Sequence, residues 1–112
     1  MKSRRRILSG ILKSNEFTGF EKKVYRIVAL VPRGSVRSYK WVADKTGRPR
    51  SCRAVGNALN KNRYPSVIPC HRIIKSDGSI GGYAGGAELK KKLLCSEGVE
   101  FVSGRCRNLK RR

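Results

Sequence analysis

Acidic residues are scarce in this chain. Among its 112 residues, 7 Asp and Glu stand against 27 Lys and Arg, a formal net charge of +20. That excess exceeds what solubility requires, so a polyanion is the natural partner, with nucleic acid ahead of an anionic membrane surface. Long apolar runs are missing too. None approaches the roughly 20 residues that span a bilayer, and the charged N-terminus lacks a signal-peptide apolar region of adequate length. The expected location is therefore intracellular, cytoplasmic or in the nucleoid or nucleus, with thiols reduced. The four cysteines, Cys52, Cys70, Cys95 and Cys106, are scattered. With no Cys-x-x-Cys pair, a zinc site is not expected. No Walker loop and no dinucleotide fingerprint occurs, and no cofactor is expected. The length suits one domain with a modest core.

Histidine occurs once, as His71, directly beside Cys70 in Ile68-Pro69-Cys70-His71-Arg72-Ile73-Ile74. A free thiol, with a pKa of about 8.5, is a poor nucleophile, and an imidazole that takes its proton makes the reactive thiolate. Neighbours on an extended strand point to opposite faces, so a tight turn at Pro69 is needed to bring the pair together. The plainer alternative is a buried structural cysteine beside a surface histidine.

Around this stretch the chain reads as short helices. Residues 1–16, with Lys2, Arg4, Arg5, Arg6 and Lys13, read as a solvated basic arm, or as one that adds phosphate contacts. Thr18 and Glu21 have capping-box spacing. Phe20, Val24, Ile27, Val28 and Val31 then form one helical face, ended by Pro32-Arg33-Gly34. Ser38 fits an N-cap for a helix from Tyr39 to Thr46, with Val42 and Ala43 inward and Gly47 as its C-terminal cap. Pro49 suits the first turn of a third helix running to about Lys61. Cys52, Val55, Gly56 and Leu59 share one face of it, and Arg50, Arg53, Asn57 and Asn60 fall largely on another. Two short helices joined by a glycine-containing turn form a helix-turn-helix pattern, and arginine and asparagine are side chains that read nucleic acid. An ordinary helical hairpin with a wet face is the alternative.

Further on, Val67-Ile68 reads as a buried extended piece. Ile73 to Ile80 reads as a small hairpin with an Asp77-Gly78 turn. In Gly81-Gly82-Tyr83-Ala84-Gly85-Gly86, glycines let backbone approach a ligand and the tyrosine offers a surface for a flat base. A last helix, Ala87 to Ser96, is expected to bury Leu89, Leu93 and Leu94 and to expose Lys90, Lys91 and Lys92. Glu97 closes it, either as a surface carboxylate or as a group that orients His71. The expected fold class is mainly α with a small β-hairpin, a winged-helix-like helix-turn-helix domain over residues 17–102, flanked by basic segments 1–16 and 103–112.

Taken together, these pieces resemble the O6-alkylguanine-DNA alkyltransferases, the methylated-DNA–protein-cysteine methyltransferases, and specifically their C-terminal DNA-binding and active-site domain. The match is colinear over roughly residues 17–101. Its anchor is Ile68-Pro69-Cys70-His71-Arg72-Ile73, joined by Ser38-Tyr39, Arg53-Ala54-Val55-Gly56, Asn62, Gly82-Tyr83 and Glu97-Gly98.

The resemblance implies single-turnover repair: transfer of an alkyl group from O6-alkylguanine in double-stranded DNA to Cys70, by a monomer. His71 would act as base through a water, Glu97 would hold its tautomer, and Tyr39 would protonate the departing guanine. Asn62 would brace the turn leading to the site. Arg53 would fill the gap left by the extruded nucleotide, with Tyr39, Lys40, Arg50, Ser51, Ala54 and Gly56 completing the DNA contacts. Pro65, Ile73, Tyr83 and Ala84 would form the base pocket. The chain departs from the family in lacking the amino-terminal domain that most members carry, in having Cys52 where alanine is common, and in its very basic ends. Its length is also similar to that of the alkyltransferase-like proteins, which bind alkylated DNA without repairing it. Those carry tryptophan at the position of Cys70.

Overall fold

Thr18 starts the helix on which the rest is stacked. Its hydroxyl accepts from the Glu21 N–H and the Glu21 carboxylate accepts from the Thr18 N–H, so two donors otherwise orphaned at the helix start are satisfied. The computed structural model describes residues 4–62, 64, 67–83 and 85–107. Its helices are α1 (Arg4–Lys13), α2 (Gly19–Ala29), α3 (Tyr39–Lys45), α4 (Cys52–Asn60) and α5 (Ala87–Ser96). Two-residue strands are β1 (Arg37–Ser38), β2 (Ile73–Ile74), β3 (Phe101–Val102) and β4 (Arg105–Cys106). The fold is mainly α with a small β-hairpin, and α3 and α4 form the helix-turn-helix.

Of the face of α2 expected from its periodicity, Val24 and Val28 are fully buried and Phe20 and Ile27 partly so, and Tyr25, outside that expectation, is fully buried beside them. They meet Val42 and Ala43 of α3 and Val55, Ala58 and Leu59 of α4 in one cluster. The Tyr25 hydroxyl donates to the Ala58 carbonyl at 2.7 Å, and Lys61 pairs with the otherwise buried Glu21 at 2.8 Å. These contacts tie α4 to α2 at both core and rim. β2 pairs in parallel with β1, Ile73 opposite Arg37 and Ile74 opposite Ser38. Successive strand residues face opposite ways, so Ile73 enters the main cluster while Ile74 enters a second one with Val36, Leu94 and Val99.

Four expectations are corrected. The segment expected to be a solvated arm contains α1, whose Ile11 is 5% exposed and belongs to the main cluster. The third helix begins at Cys52, with Ser51 at the N-cap position but no side-chain capping bond, and Pro49 lies in the preceding turn. The Asp77-Gly78 turn closes through a Gly78 N–H to Lys75 carbonyl bond and a Lys75 N–H to Ser79 carbonyl bond, but its arms pair elsewhere: Ile73–Ile74 with β1, and Ser79 with Arg105. The hairpin is instead β3–β4, so part of the expected basic tail is strand. For Ile11, for Ile73–Ile74 and for Ser79 the partner is distant in sequence, where local patterning carries no signal.

Ile11→Ala tests α1 directly. Truncating a core isoleucine costs about 2–5 kcal/mol, whereas the same change in a solvated arm costs under about 0.5 kcal/mol. Urea denaturation at fixed pH distinguishes the two.

Candidate active site

Pro69 leads directly into a single turn of 3-10 helix, Cys70–Arg72. The turn is tight and both residues are buried, at 8% and 6% exposure, but the His71 side chain is not among the groups that act on the sulfur. Burial pushes the Cys70 thiol up from its ordinary value. Four groups act the other way, favouring the thiolate: the Asn62 side chain, the Lys90 charge, and the backbone N–H groups of Cys70 and His71. Asn62 is itself fixed, donating to the Ile68 carbonyl at 2.8 Å and accepting from the Tyr64 N–H at 2.8 Å. It therefore links the end of α4 to the segment before Cys70.

Behind Cys70 lies a chain of charge. His71 Nε2 is 3.1 Å from Glu97 Oε2. Arg72 grips the same carboxylate with two bonds, Nε to Oε1 at 2.9 Å and Nη2 to Oε2 at 2.8 Å, and its Nη1 donates to the Val31 carbonyl at 2.8 Å. The Arg72 guanidinium is the main reason that the Glu97 carboxyl is held down at about 2, with His71 adding to it. Burial lowers the His71 pKa despite Glu97. At neutral pH the pair is thus a carboxylate and a neutral imidazole. The carboxylate accepts, so Nε2 carries the hydrogen and Nδ1 is left as a bare lone pair. Nδ1 is buried and has no hydrogen-bond partner among the described residues.

On the other side of Cys70 stand Tyr39, Tyr83 and Lys90. Burial raises the pKa of both tyrosines, and a charge on Cys70 raises them further. The Tyr39 hydroxyl donates to the Gly82 carbonyl at 3.3 Å. Gly81 is required beneath that ring: its φ is +73°, and a Cβ there would sit 3.2 Å from Tyr39 Cε2. Gly85 is similarly confined, with a Cβ position 3.1 Å from the Tyr83 ring and 2.7 Å from Leu89.

An open cleft runs across this face. Its walls include Tyr39, Lys40, Cys52, Arg53, Gly56, Asn57 and Asn60, and on the far side Lys75, Ser76, Asp77 and Gly82. Arg53, Asn57 and Asn60 share the wet face of α4 as expected. Cys52 and Gly56, expected on the core face, are on the cleft side instead, and Cys52 is exposed. The buried face of α4 is Val55, Ala58 and Leu59. Arg50 and Ala54 are exposed and Ser51 half-buried. Cys70 is not itself on the cleft wall; Tyr39 and Gly82 stand on that wall. The Ile73 side chain is fully buried in the core, so only its backbone is available to a ligand. Pro65 and Ala84, the other expected pocket residues, lie outside the described residues.

Two residues in the site escaped the sequence reading. Lys90, expected on the outside of its helix, is completely buried. Its Nζ donates to the Gly82 carbonyl at 3.0 Å and to the Tyr39 hydroxyl at 3.3 Å, and burial lowers its pKa to about 8. Its four-residue spacing from buried Leu94 is the available signal. Leu89 correspondingly faces out, 44% exposed. Arg72 is the other, and nothing in the sequence sets it apart from the remaining cations among 27 Lys and Arg.

Fold and site together define a helix-turn-helix protein with a buried cysteine backed by a histidine–glutamate–arginine chain. The family model for the DNA binding domain of 6-O-methylguanine DNA methyltransferase matches residues 19–99, and the chain belongs to that family. The methylated-DNA–protein-cysteine methyltransferase of Methanothermobacter thermautotrophicus is 49% identical over 84 residues, 75% of this chain and 47% of the relative. The chain spans about half the length of the curated relatives it matches. Among solved structures, Mycobacterium tuberculosis OGT in complex with DNA superposes with a TM-score of 0.70 at 40% identity, covering 72% of this chain and 50% of that one. Schizosaccharomyces pombe Atl1, in complex with damaged DNA containing O6-carboxymethylguanine, gives 0.66 at 32% identity, covering 81% and 88%. No helix among the described residues is long and apolar enough to cross a membrane.

Proposed function

We propose that this chain repairs DNA by moving an alkyl group from O6 of guanine to Cys70, once per molecule and without a cofactor, as a monomer. The observation that carries the reading is the surroundings of Cys70: an amide, a cation and two backbone N–H groups around the sulfur, a bare imidazole nitrogen on the neighbouring residue, and a cleft lined by the recognition helix. Double-stranded DNA lies along that cleft. The target nucleotide must leave the stack, since its O6 substituent is hidden inside the duplex, and unstacking costs a few kcal/mol. Arg53 occupies the space it vacates.

The thiol proton passes to His71 Nδ1 through a water, because the imidazole is not among the groups acting directly on the sulfur. The resulting imidazolium rests against Glu97, which Arg72 keeps ionised. The thiolate attacks the alkyl carbon in line. A carbon–sulfur bond forms, the carbon–O6 bond breaks, and Tyr39 hands a proton to the guanine, which leaves neutral. Tyr39 recovers a proton from the imidazolium side of the site, so the balance is one thiol consumed and one guanine restored. The thioether product is not reversible by thiol exchange. Tyr83, Pro65, Ala84 and the Ile73 backbone hold the base.

Lesion binding without transfer is the rival reading, and the Atl1 likeness is the observation on its side. Cys70 itself favours transfer. Incubation with a duplex containing O6-methylguanine is expected to add the mass of one methyl, on the Cys70 peptide, with none for Cys70→Ala. Tight lesion binding without the mass gain would instead indicate a lesion-binding protein, and equal affinity for damaged and undamaged duplex a plain DNA-binding module.

A further inference from the structure

We infer that the β3–β4 hairpin is a wing that extends the DNA-binding face, with Arg105 and Lys75 each neutralising a backbone phosphate on the flank of the duplex. The inference rests on the DNA reading above and adds a surface that the helix-turn-helix does not supply.

The wing is fixed to the cleft rather than hanging from it. Its Arg105 bridges antiparallel to Ser79, and the Cys106 N–H donates to the Gly78 carbonyl at 2.8 Å. Gly78 is so close to the hairpin that a Cβ there would be 3.4 Å from Arg105 Cβ. The residues just before it, Lys75, Ser76 and Asp77, line the same cleft as Arg53 and Asn57. Arg105 therefore stands one residue beyond the rim of the recognition cleft. On the inner side of the hairpin, Phe101 and Cys106 pack against Val36, Ile74, Leu94 and Val99, which leaves Arg105 directed to solvent, and it is exposed.

Asp77, the one acid on the cleft wall, accepts from the Ser79 N–H at 2.9 Å and hydroxyl at 2.7 Å, and the charges of Arg105 and Lys75 also act on its carboxylate without a direct ion pair to it. Arg107 is paired with Glu100 at 3.4 Å on the far end of the hairpin. Lys75 and Arg105 are both exposed, one on each side of the turn. A duplex seated along α4 presents phosphates to both walls of the cleft, and this wall offers those two cations.

Counterion release gives the test. Each phosphate neutralised on B-DNA contributes about 0.9 to the slope of log affinity against log salt. Binding of the full chain to an undamaged duplex is followed by fluorescence anisotropy over a salt series. Arg105→Ala is expected to lower the slope by about 0.9, Lys75→Ala to do the same, and Arg105→Lys to keep the parent slope. Arg26→Ala, a change on the exposed side of α2, is expected to leave it unaltered. A parent slope retained in Arg105→Ala overturns the wing while leaving the DNA reading intact. An equal fall in Arg26→Ala also overturns it, since net charge alone would then be responsible. A parent that binds duplex without salt dependence removes both the wing and the reading beneath it.

Discussion

Replacing Lys90 with methionine is expected to make the protein more stable and less reactive. Lys90 is fully buried, and burial carries its pKa from 10.5 down to about 8. The unfolded chain therefore holds this proton more tightly than the folded one. Stability rises as pH climbs from about 8 to 10.5, and below about 8 the full cost of the buried charge is present. Each tenfold loss of proton affinity is worth about 1.4 kcal/mol, so that cost is on the order of 3 kcal/mol. Methionine has similar length and fills irregular apolar space, so Lys90→Met should recover about 1–3 kcal/mol at neutral pH. The advantage should shrink toward pH 10.5. Reactivity should move the opposite way. The variant loses the cation that favours the Cys70 thiolate and the donor that holds the Tyr39 hydroxyl. A tenfold tighter hold on the thiol proton leaves about tenfold less thiolate at a given pH, so transfer should slow by about tenfold or more. Thermal unfolding at several pH values, beside methyl-transfer rates and the pH profile of Cys70 alkylation by iodoacetamide, measures both arms. A variant that is less stable, or that retains the parent profile at Cys70, would show that Lys90 is only a packing residue.

The reason Lys90 is buried is also the reason it was hard to see. Three consecutive lysines look alike to any count of charge, and both Lys90 and Lys91 stand one turn from Leu94, yet only Lys90 is buried. The legible parts of this fold were those fixed within a few residues of chain. Thr18 and Glu21 cap each other, Ser38 caps the Trp41 N–H at 2.9 Å, and α5 runs from Ala87 to Ser96 as expected, although Leu94 is the one leucine of the expected face that it buries fully. The pairing of Ile73 with Arg37, the bridge from Ser79 to Arg105 and the seating of Ile11 depend on surfaces brought together from across the chain. A basic stretch such as Arg4 to Lys13 carries apolar residues such as Ile7, Leu8 and Ile11 on barely two turns, and their burial depends on a groove that exists only once α2 and its neighbours have packed. The site divides in the same way. Cys70, His71 and Asn62 belong to a compact stretch, and Glu97 could be nominated because carboxylates are few. Arg72 could not, since on paper it is one more cation among many.

Arg72→Met is expected to disable the site by a route that His71 itself can report. The parent carboxylate of Glu97 receives two bonds from Arg72 and one contact from His71. Because its pKa is held at about 2 against an ordinary 4.5, the stabilisation it provides is complete above about pH 4.5 and is lost as pH falls from there toward 2. Removing the guanidinium leaves a buried carboxylate with one partner and the Val31 carbonyl with none from Arg72. Breaking a buried pair in this way costs about 3–5 kcal/mol, a large part of the roughly 5–15 kcal/mol that holds a domain together. The orphaned carboxylate then has one way to stay ionised, which is to draw a proton onto His71. Arg72 also opposes a charge on that imidazole, so the substitution raises the His71 pKa twice over. A protonated imidazole has no lone pair for the Cys70 proton, and transfer at neutral pH should fall. The double variant Arg72→Met with Glu97→Gln removes the stranded charge, so stability should recover by more than half while transfer stays low. That non-additive recovery, read as a double-mutant cycle, separates a positioning role from a merely structural one. With a single histidine in the chain, its ring protons give an unambiguous NMR titration. An Arg72→Met protein that is folded, titrates His71 at the parent pH and transfers methyl at the parent rate would leave the arginine no part in setting the base.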